Sequence, residues 1–119
     1  MNTPTPSFRM QRVERMLQKR LAEIIQKELR DPHLDMVNVS HIDVSKDLSH
    51  AVVYITTLSD DKEVQDRSVK ILNKAAHILR HSLAKESTWR SFPALRFKYD
   101  VAFARSLRLV SLLQNIEKK

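Results

Sequence analysis

The sequence predicts an α+β fold with the element order α-β-β-α-α-β-α, and three periodic patterns support that prediction. Apolar residues recur at spacings of three and four from Met10 to Leu29, as they do on one face of a helix. Two segments rich in β-branched residues follow, over 36–44 and 51–58. A third segment, over 94–101, alternates between apolar and polar side chains, which is typical of a half-buried strand.

A single domain spanning 1–119 is expected, because a chain of 119 residues can bury one modest core. Residues 1–6 contain two prolines and are predicted to form a flexible tail before the first helix. That helix is predicted to end near Arg30, because Pro32 disfavours helical geometry at the residue before it.

The first two β segments predict an antiparallel hairpin with a turn-rich connector over 45–49. The first segment changes phase along its length. Val37 and Val39 alternate in one phase, whereas Ile42 falls in the other. A β-bulge near residues 40 and 41 would restore a common apolar face.

A helical pattern runs from Lys62 to Lys85, and Asp60 and Glu63 before and within it have capping-box spacing. One continuous helix and a pair of helices kinked around Ala75-Ala76-His77 both fit this pattern. A last helix is predicted after Asp100, which is a candidate for its N-terminal cap.

Composition excludes several classes of protein. The chain has no cysteine, which rules out disulfides, cysteine metal sites and thiol nucleophiles, and a reducing cytoplasmic location fits this. It has no glycine, which rules out glycine-rich phosphate loops and the GxxG loop of a standard KH domain. No apolar run approaches the length of a membrane span, and the N-terminus lacks the apolar core of a secretory signal.

No catalytic constellation is found, so an enzyme is not expected, and neither is a cofactor or a small-molecule substrate. No nucleophile is paired with a general base, and helix capping explains Asp60 and Asp61 better than catalysis does. His77 and His81 have a spacing that can chelate a metal, but a third ligand is missing. We therefore expect no metal site and favour a role for both histidines on a basic surface.

The net charge of +7 and the pI of about 10 indicate a polyanionic partner, because binding phosphates releases condensed counterions. Basic residues at helical spacing in the first helix and in the second helical region predict a surface that binds RNA. The alternative for each is an ordinary solvated helix face. The candidates are Arg9, Arg12, Arg15, Lys19, Lys74, His77, Arg80, His81, Lys85 and Arg90. Trp89 is predicted to pack against the sheet edge, with base stacking as the alternative.

Four sequence motifs carry a resemblance to a known family. They are the turn RDPHL (30–34), the strand VNVSHIDV (37–44), the hairpin SKDLSHAVVYI (45–55) and the segment PALRFKYD (93–100). Together with the basic first helix, they make the chain resemble the ribosome-binding factor A family over about residues 9 to 116. In that family an Ala-x-Gly kink lies where this chain has Ala75-Ala76-His77.

The resemblance implies a type II KH-like fold, with a three-stranded sheet and helices on one face. It implies binding to the small (30S) ribosomal subunit and its 16S rRNA during late maturation and rRNA processing, with a role in cold adaptation. It also supports Arg80, Lys85 and Arg90 as RNA contacts. The protein is then expected to be a cytoplasmic monomer. Two alternatives are a stand-alone RNA-binding module acting outside the ribosome and a protein-interaction module that docks through its apolar last helix.

Overall fold

The computed structural model describes residues 8–34, 36–85 and 92–117, and within them three helices and three strands. These elements are α1 (Phe8–Glu28), β1 (Val37–Val44), β2 (His50–Thr57), α2 (Lys62–Lys85), β3 (Ala94–Tyr99) and α3 (Val101–Glu117). The sheet order is β1-β2-β3, with β1 antiparallel and β3 parallel to β2. The predicted α+β, KH-like architecture is confirmed. The tail predicted over 1–6 lies outside these residues.

The second helical region is one helix, so the expected pair of helices is corrected to a single α2 and the order to α-β-β-α-β-α. The central residues Ala75 and Ala76 have the highest helix propensity of any residue type. The segment from Lys62 to Lys85 contains neither glycine nor proline. Nothing in it therefore interrupts the backbone hydrogen bonds that keep a helix straight.

The hairpin and its bulge are confirmed. Val39 pairs with Ile55 and His41 pairs with Tyr54, so Ser40 is the extra residue in β1. The extra residue restores the phase, and Val39 and Ile42 are both almost completely buried. A single residue therefore reconciles the two halves of β1 with one hydrophobic core.

The core lies between one face of the sheet and the apolar sides of α1 and α2. Burying these apolar side chains is the main force that holds the two layers together. The fully or almost fully buried members include Leu17, Leu21, Ile42, Val53, Ile55, Leu72, Leu79, Leu83 and Phe97. Helix α3 contributes little to this core, and its side chains Leu107 and Leu109 are more than half exposed.

Side chains from the two core helices cover both outer edges of the sheet. Asn73 of α2 donates from Nδ2 to the carbonyl of Phe97 (3.0 Å) and accepts from the Phe97 amide at Oδ1 (2.7 Å). On β1, the Val44 amide donates to Glu14 Oε2 (3.1 Å), and Gln18 Nε2 donates to the Val39 carbonyl (2.8 Å). These bonds occupy edge groups that would otherwise pair with another chain.

Two acidic residues begin the later helices. Asp100 accepts the Phe103 amide at Oδ1 (3.0 Å), which confirms it as the cap of α3, and its Oδ2 also accepts from Ser40 Oγ (2.6 Å). The cap of α2 differs from the prediction: Asp61, and not Asp60, accepts the Glu63 amide (3.0 Å). The side chain of Asp60 instead pairs with Arg108 of α3 (3.7 Å).

Ser68 is fully buried on α2, and among the described residues its hydroxyl has no hydrogen-bond partner. We expect Ser68→Ala to raise the free energy of unfolding by about 1 kcal/mol, because it removes an unpaired buried polar group and adds a better helix former. Urea denaturation measures this. Ser111→Ala is the control for helix propensity alone, because Ser111 is exposed on α3 and its hydroxyl makes no hydrogen bond within the described residues. A destabilised Ser68→Ala would contradict the expectation.

The connector between β1 and β2 is organised by Asp47, whose Oδ1 accepts from the Ser49 hydroxyl (2.7 Å), the Ser45 hydroxyl (2.8 Å) and the Ser49 amide (3.1 Å). These bonds, led by those from the Ser49 and Ser45 hydroxyls, lower the pKa of Asp47 from 3.8 to about 2. They also hold Leu48 at a positive φ of 62° without a glycine.

A folded-state pKa below the unfolded value means that ionised Asp47 stabilises the hairpin above the unfolded pKa. That contribution is lost as the pH falls from 3.8 to about 2. We therefore expect the melting temperature of Asp47→Asn to vary less with pH across this window than that of the parent protein. Melting curves followed by circular dichroism measure the difference. Asp66→Asn is the control, because Asp66 is an exposed carboxylate on α2 that makes no hydrogen bond or ion pair within the described residues. Equal slopes for parent and Asp47→Asn would contradict the expectation.

Candidate nucleic-acid interface

The exposed side of α2 carries a row of basic side chains. It lies opposite the buried side of the helix, on which Leu72, Ala75 and Leu79 face the core. All members of the row are exposed and follow one another at spacings of three and four, so they lie on one face. We call this row the α2 stripe, and it consists of Lys70, Lys74, His77, His81 and Lys85.

Helix α1 carries a second row, which we call the α1 ridge and which consists of Arg9, Arg12, Arg15 and Lys19. All four side chains are exposed, on the side of α1 away from buried Leu17 and Leu21. The nearby carboxylate of Glu14 is directed to the Val44 amide of β1. Glu14 therefore lies on the sheet side of the helix, and the net charge of the ridge stays positive even with the exposed Glu23 one turn after Lys19.

The α1 ridge and the α2 stripe point in the same direction. Both helices pack on the same face of the sheet, and their buried residues belong to one core cluster. Each row is on the side of its helix opposite that core, so both rows face away from the sheet on the outer surface of the helical layer. Within the described residues, no ion pair holds a side chain of either row. Their role in binding RNA stays a prediction.

Arg80 does not join these rows. The Nε of Arg80 donates to the carbonyl of Phe92 (2.9 Å), and its side chain is half-buried. Arg80 thereby ties α2 to the segment that enters β3, a contact that the helical spacing alone did not reveal. The predicted contact Arg90 and the stacking candidate Trp89 lie outside the described residues.

His77 and His81 are one turn apart on the α2 stripe, and both are exposed. In the part of the chain that the structure describes, no group of three or more His, Asp or Glu side chains could hold a metal ion. In this position the two imidazoles can donate hydrogen bonds to phosphate oxygens. None of the described helices is both long enough and apolar enough to cross a membrane.

The face of the sheet opposite the helices carries polar groups that the sequence-based site prediction missed. His41 and Tyr54 stack there, with ring centroids 5.9 Å apart and an angle of 26° between the ring planes. Arg96 and Lys98 of β3 are exposed on the same face. The signal available in the sequence was the alternation in 94–99, which places these two cations opposite Leu95 and Phe97.

The comparisons with known proteins agree on one family. The family model described as ribosome-binding factor A matches residues 9–113. The ribosome-binding factor A of Hahella chejuensis is 43% identical over 116 residues, covering 93% of this chain and 86% of the relative. That of Alkalilimnicola ehrlichii is 45% identical over 105 residues, covering 88% of this chain and 81% of the relative.

Solved structures show the same similarity. The solution structure of a putative ribosome binding factor A from Thermotoga maritima has a TM-score of 0.69 at 35% identity, covering 81% of this chain and 91% of that chain. The crystal structure of ribosome-binding factor A from Thermus thermophilus has a TM-score of 0.66 at 31% identity, with coverages of 75% and 92%. A homology model of the Thermus thermophilus protein, fitted into a cryo-EM map of a 30S complex, has a TM-score of 0.63 at 31% identity, with coverages of 76% and 93%.

Proposed function

Because the chain belongs to the ribosome-binding factor A family, we propose that it is an assembly factor that binds the small (30S) ribosomal subunit through its 16S rRNA. The observation that carries this proposal is the pair of basic rows, the α1 ridge and the α2 stripe, on one outer surface. A relative of similar fold, fitted into a map of its 30S complex, supports the choice of partner. Late subunit maturation, rRNA processing and growth in the cold are the proposed context.

The two rows have dimensions suited to the backbone of folded RNA. At a rise of about 1.5 Å per residue, the α2 stripe from Lys70 to Lys85 is about 22 Å long, and the α1 ridge from Arg9 to Lys19 is about 15 Å long. Arginine binds phosphate through a planar fork, and lysine supplies a compact charge. Rows of this kind recognise the shape and charge of an RNA helix rather than its sequence, because the bases of double-stranded RNA are poorly accessible.

In this proposal the protein acts by binding alone, without catalysis, cofactor or small-molecule substrate, as a monomer in the cytoplasm. Its contribution to assembly would be to hold a conformation of the rRNA while the subunit matures. Any substance that binds one state of a molecule and not another shifts the balance toward the bound state. The free energy of this shift equals the difference between the binding free energies of the protein for the immature and the mature subunit.

Co-sedimentation with purified small subunits over a range of salt concentrations tests the proposal. We expect the protein to pellet with free small subunits at low salt, and binding to weaken as salt rises because counterions are released. No association at low salt would overturn the proposal. Binding to isolated RNA oligonucleotides as tight as to subunits would instead favour a stand-alone RNA-binding module that acts outside the ribosome.

A further inference from the structure

The sheet has one face without a covering layer. Both α1 and α2 pack on the opposite face, and the structure measures only 18 Å along its thinnest principal axis, which leaves room for one sheet and one helical layer. Helix α3 reaches the sheet near the end of β2, where Thr56, Thr57 and Leu58 line a shallow groove beside it. The rest of this face, which we call the open face, is bare in the described part of the chain.

The bulge at Ser40 determines which side chain of β1 reaches the open face. Without the extra residue, the alternation set by Val37 and Val39 would place His41 in the core. With it, His41 lies on the open face, and Ile42 takes the buried position. The bulge that completes the core therefore also places the imidazole of His41 on the open face, where the His41 side chain is 56% exposed.

His41 and the half-buried Tyr54 form a two-ring platform across β1 and β2. Their centroids are 5.9 Å apart, with 26° between the ring planes. The Nε2 of His41 is 3.0 Å from Asp43 Oδ1, a contact that restrains the orientation of the imidazole. The Tyr54 hydroxyl makes no hydrogen bond within the described residues. The platform is therefore held by contacts within its own two strands.

Two cations lie beside this platform on the neighbouring strand. Lys98 is in register with Tyr54, and Arg96 is in register with Val52. Adjacent strands are about 4.8 Å apart, and alternate residues of one strand about 6.6 Å. Lys98 is thus one strand away from the ring of Tyr54, and Arg96 follows it along β3. Both side chains are exposed, and in the described residues neither has an ion-pair partner.

We propose that the open face binds single-stranded RNA, with unpaired bases stacking on Tyr54 and His41 and the backbone phosphates close to Arg96 and Lys98. Aromatic rings stack with any base, and neighbouring cations match the charge of the backbone, so this combination suits a single strand. A duplex keeps its bases stacked on each other and cannot use the rings. This site goes beyond the proposed function, because it lies opposite the α1 ridge and the α2 stripe.

Fluorescence anisotropy with a short labelled oligouridylate tests the proposal on the full chain. We expect Tyr54→Ala to weaken binding about tenfold, the usual loss for one stacked base, and Tyr54→Phe, which keeps the ring, to bind within about twofold of the parent. On binding, the Tyr54 ring protons should shift upfield in NMR spectra. The proposal would be overturned if the Ala and Phe variants bound with equal affinity. It would also be overturned if the NMR signals of the α1 ridge and the α2 stripe shifted while those of the Tyr54 ring did not.

A second variant keeps the test decisive if Tyr54→Ala fails to fold. Arg96→Ala/Lys98→Ala changes only exposed side chains, and it should flatten the log–log salt dependence of oligouridylate binding by about 1.4 units, or about 0.7 per phosphate contact. An unchanged slope would overturn the proposal. An RNA duplex of the same length should compete poorly, and competition as strong as that of the single strand would also overturn it.

The proposal for the open face and the proposal for the α1 ridge and the α2 stripe can be tested independently. Replacing Arg12, Arg15 and Lys19 with alanine should leave the Tyr54 ring shift on oligouridylate binding intact, even where subunit binding is lost. Tyr54→Ala should bind oligouridylate about tenfold more weakly and still co-sediment with subunits at low salt. If the first variant loses the ring shift, the bases are not held on the open face and the inference is wrong, whatever the result with subunits.

Discussion

Replacing Arg12, Arg15 and Lys19 with alanine is expected to weaken binding to the small subunit by at least about tenfold at moderate salt. These three side chains are exposed, lie in one row and are free of ion pairs within the described residues, so their charge is available to phosphates. If each contacts one phosphate, the log–log salt slope should flatten by up to about 2.7 units, or about 0.9 per contact. Co-sedimentation at graded salt measures both quantities.

The matched control removes the same charge from other places. Arg30, Lys46 and Arg105 are also exposed, and they lie after α1, in the β1–β2 connector and on α3. Their triple alanine variant should bind subunits nearly as well as the parent protein, apart from a general loss of attraction. Equal losses for both triple variants would mean that only the net charge matters, and the α1 ridge would not be an interface.

Asn73→Ala is expected to lower the free energy of unfolding by about 2 kcal/mol, a large effect for a residue on an outer helix face. The substitution removes two hydrogen bonds and leaves the amide and carbonyl of Phe97 without protein partners on the edge of β3. Each such bond contributes about 1 kcal/mol, and an unpaired group that is shielded from water costs more. Chemical denaturation measures the loss, and faster hydrogen exchange at the Phe97 amide would locate it.

The neighbouring Lys74→Ala is the control, because Lys74 is exposed on the same helix and no hydrogen bond of its side chain is present in the described residues. Its effect on stability should stay within about 0.5 kcal/mol. Asn73→Asp tests the two bonds separately, since a carboxylate still accepts from the Phe97 amide but can no longer donate to the carbonyl. An Asn73→Ala variant as stable as Lys74→Ala would show that water replaces both bonds at little cost.

The elements of this protein were predictable where a pattern repeats within one segment. The apolar spacing of α1 and the alternation of β3 each depend on geometry internal to a helix or strand, so they are written directly in the sequence. The phase change between Val39 and Ile42 was enough to locate the bulge at Ser40, because a strand with one buried face tolerates no change of phase without an extra residue. The exposure of the α1 ridge was predictable for the same reason.

Contacts between distant segments could not be predicted in this way. Asp60 and Asp61 are adjacent and chemically identical, so the sequence does not show which of them caps α2. In the structure Asp61 accepts the Glu63 amide, and Asp60 forms an ion pair with Arg108 of α3. Nothing in the sequence marks Asn73 as the residue that covers the edge of β3, or Arg80 as a link to Phe92. Each of these roles depends on a partner more than ten residues away, whose position is set by the packing of the whole domain.

The sequence by itself determined which segments form strands and their order along the chain, the bulge in β1 and the basic sides of α1 and α2. It could do so because a local period decides which side chains share a face. The tertiary structure alone decided that the α1 ridge and the α2 stripe lie on the same side of the sheet. It also decided that the stacked pair of His41 and Tyr54 lies on the opposite side, on the open face. Such relations join surfaces of different elements, and they exist only once burial of a common core has fixed how those elements lie against each other.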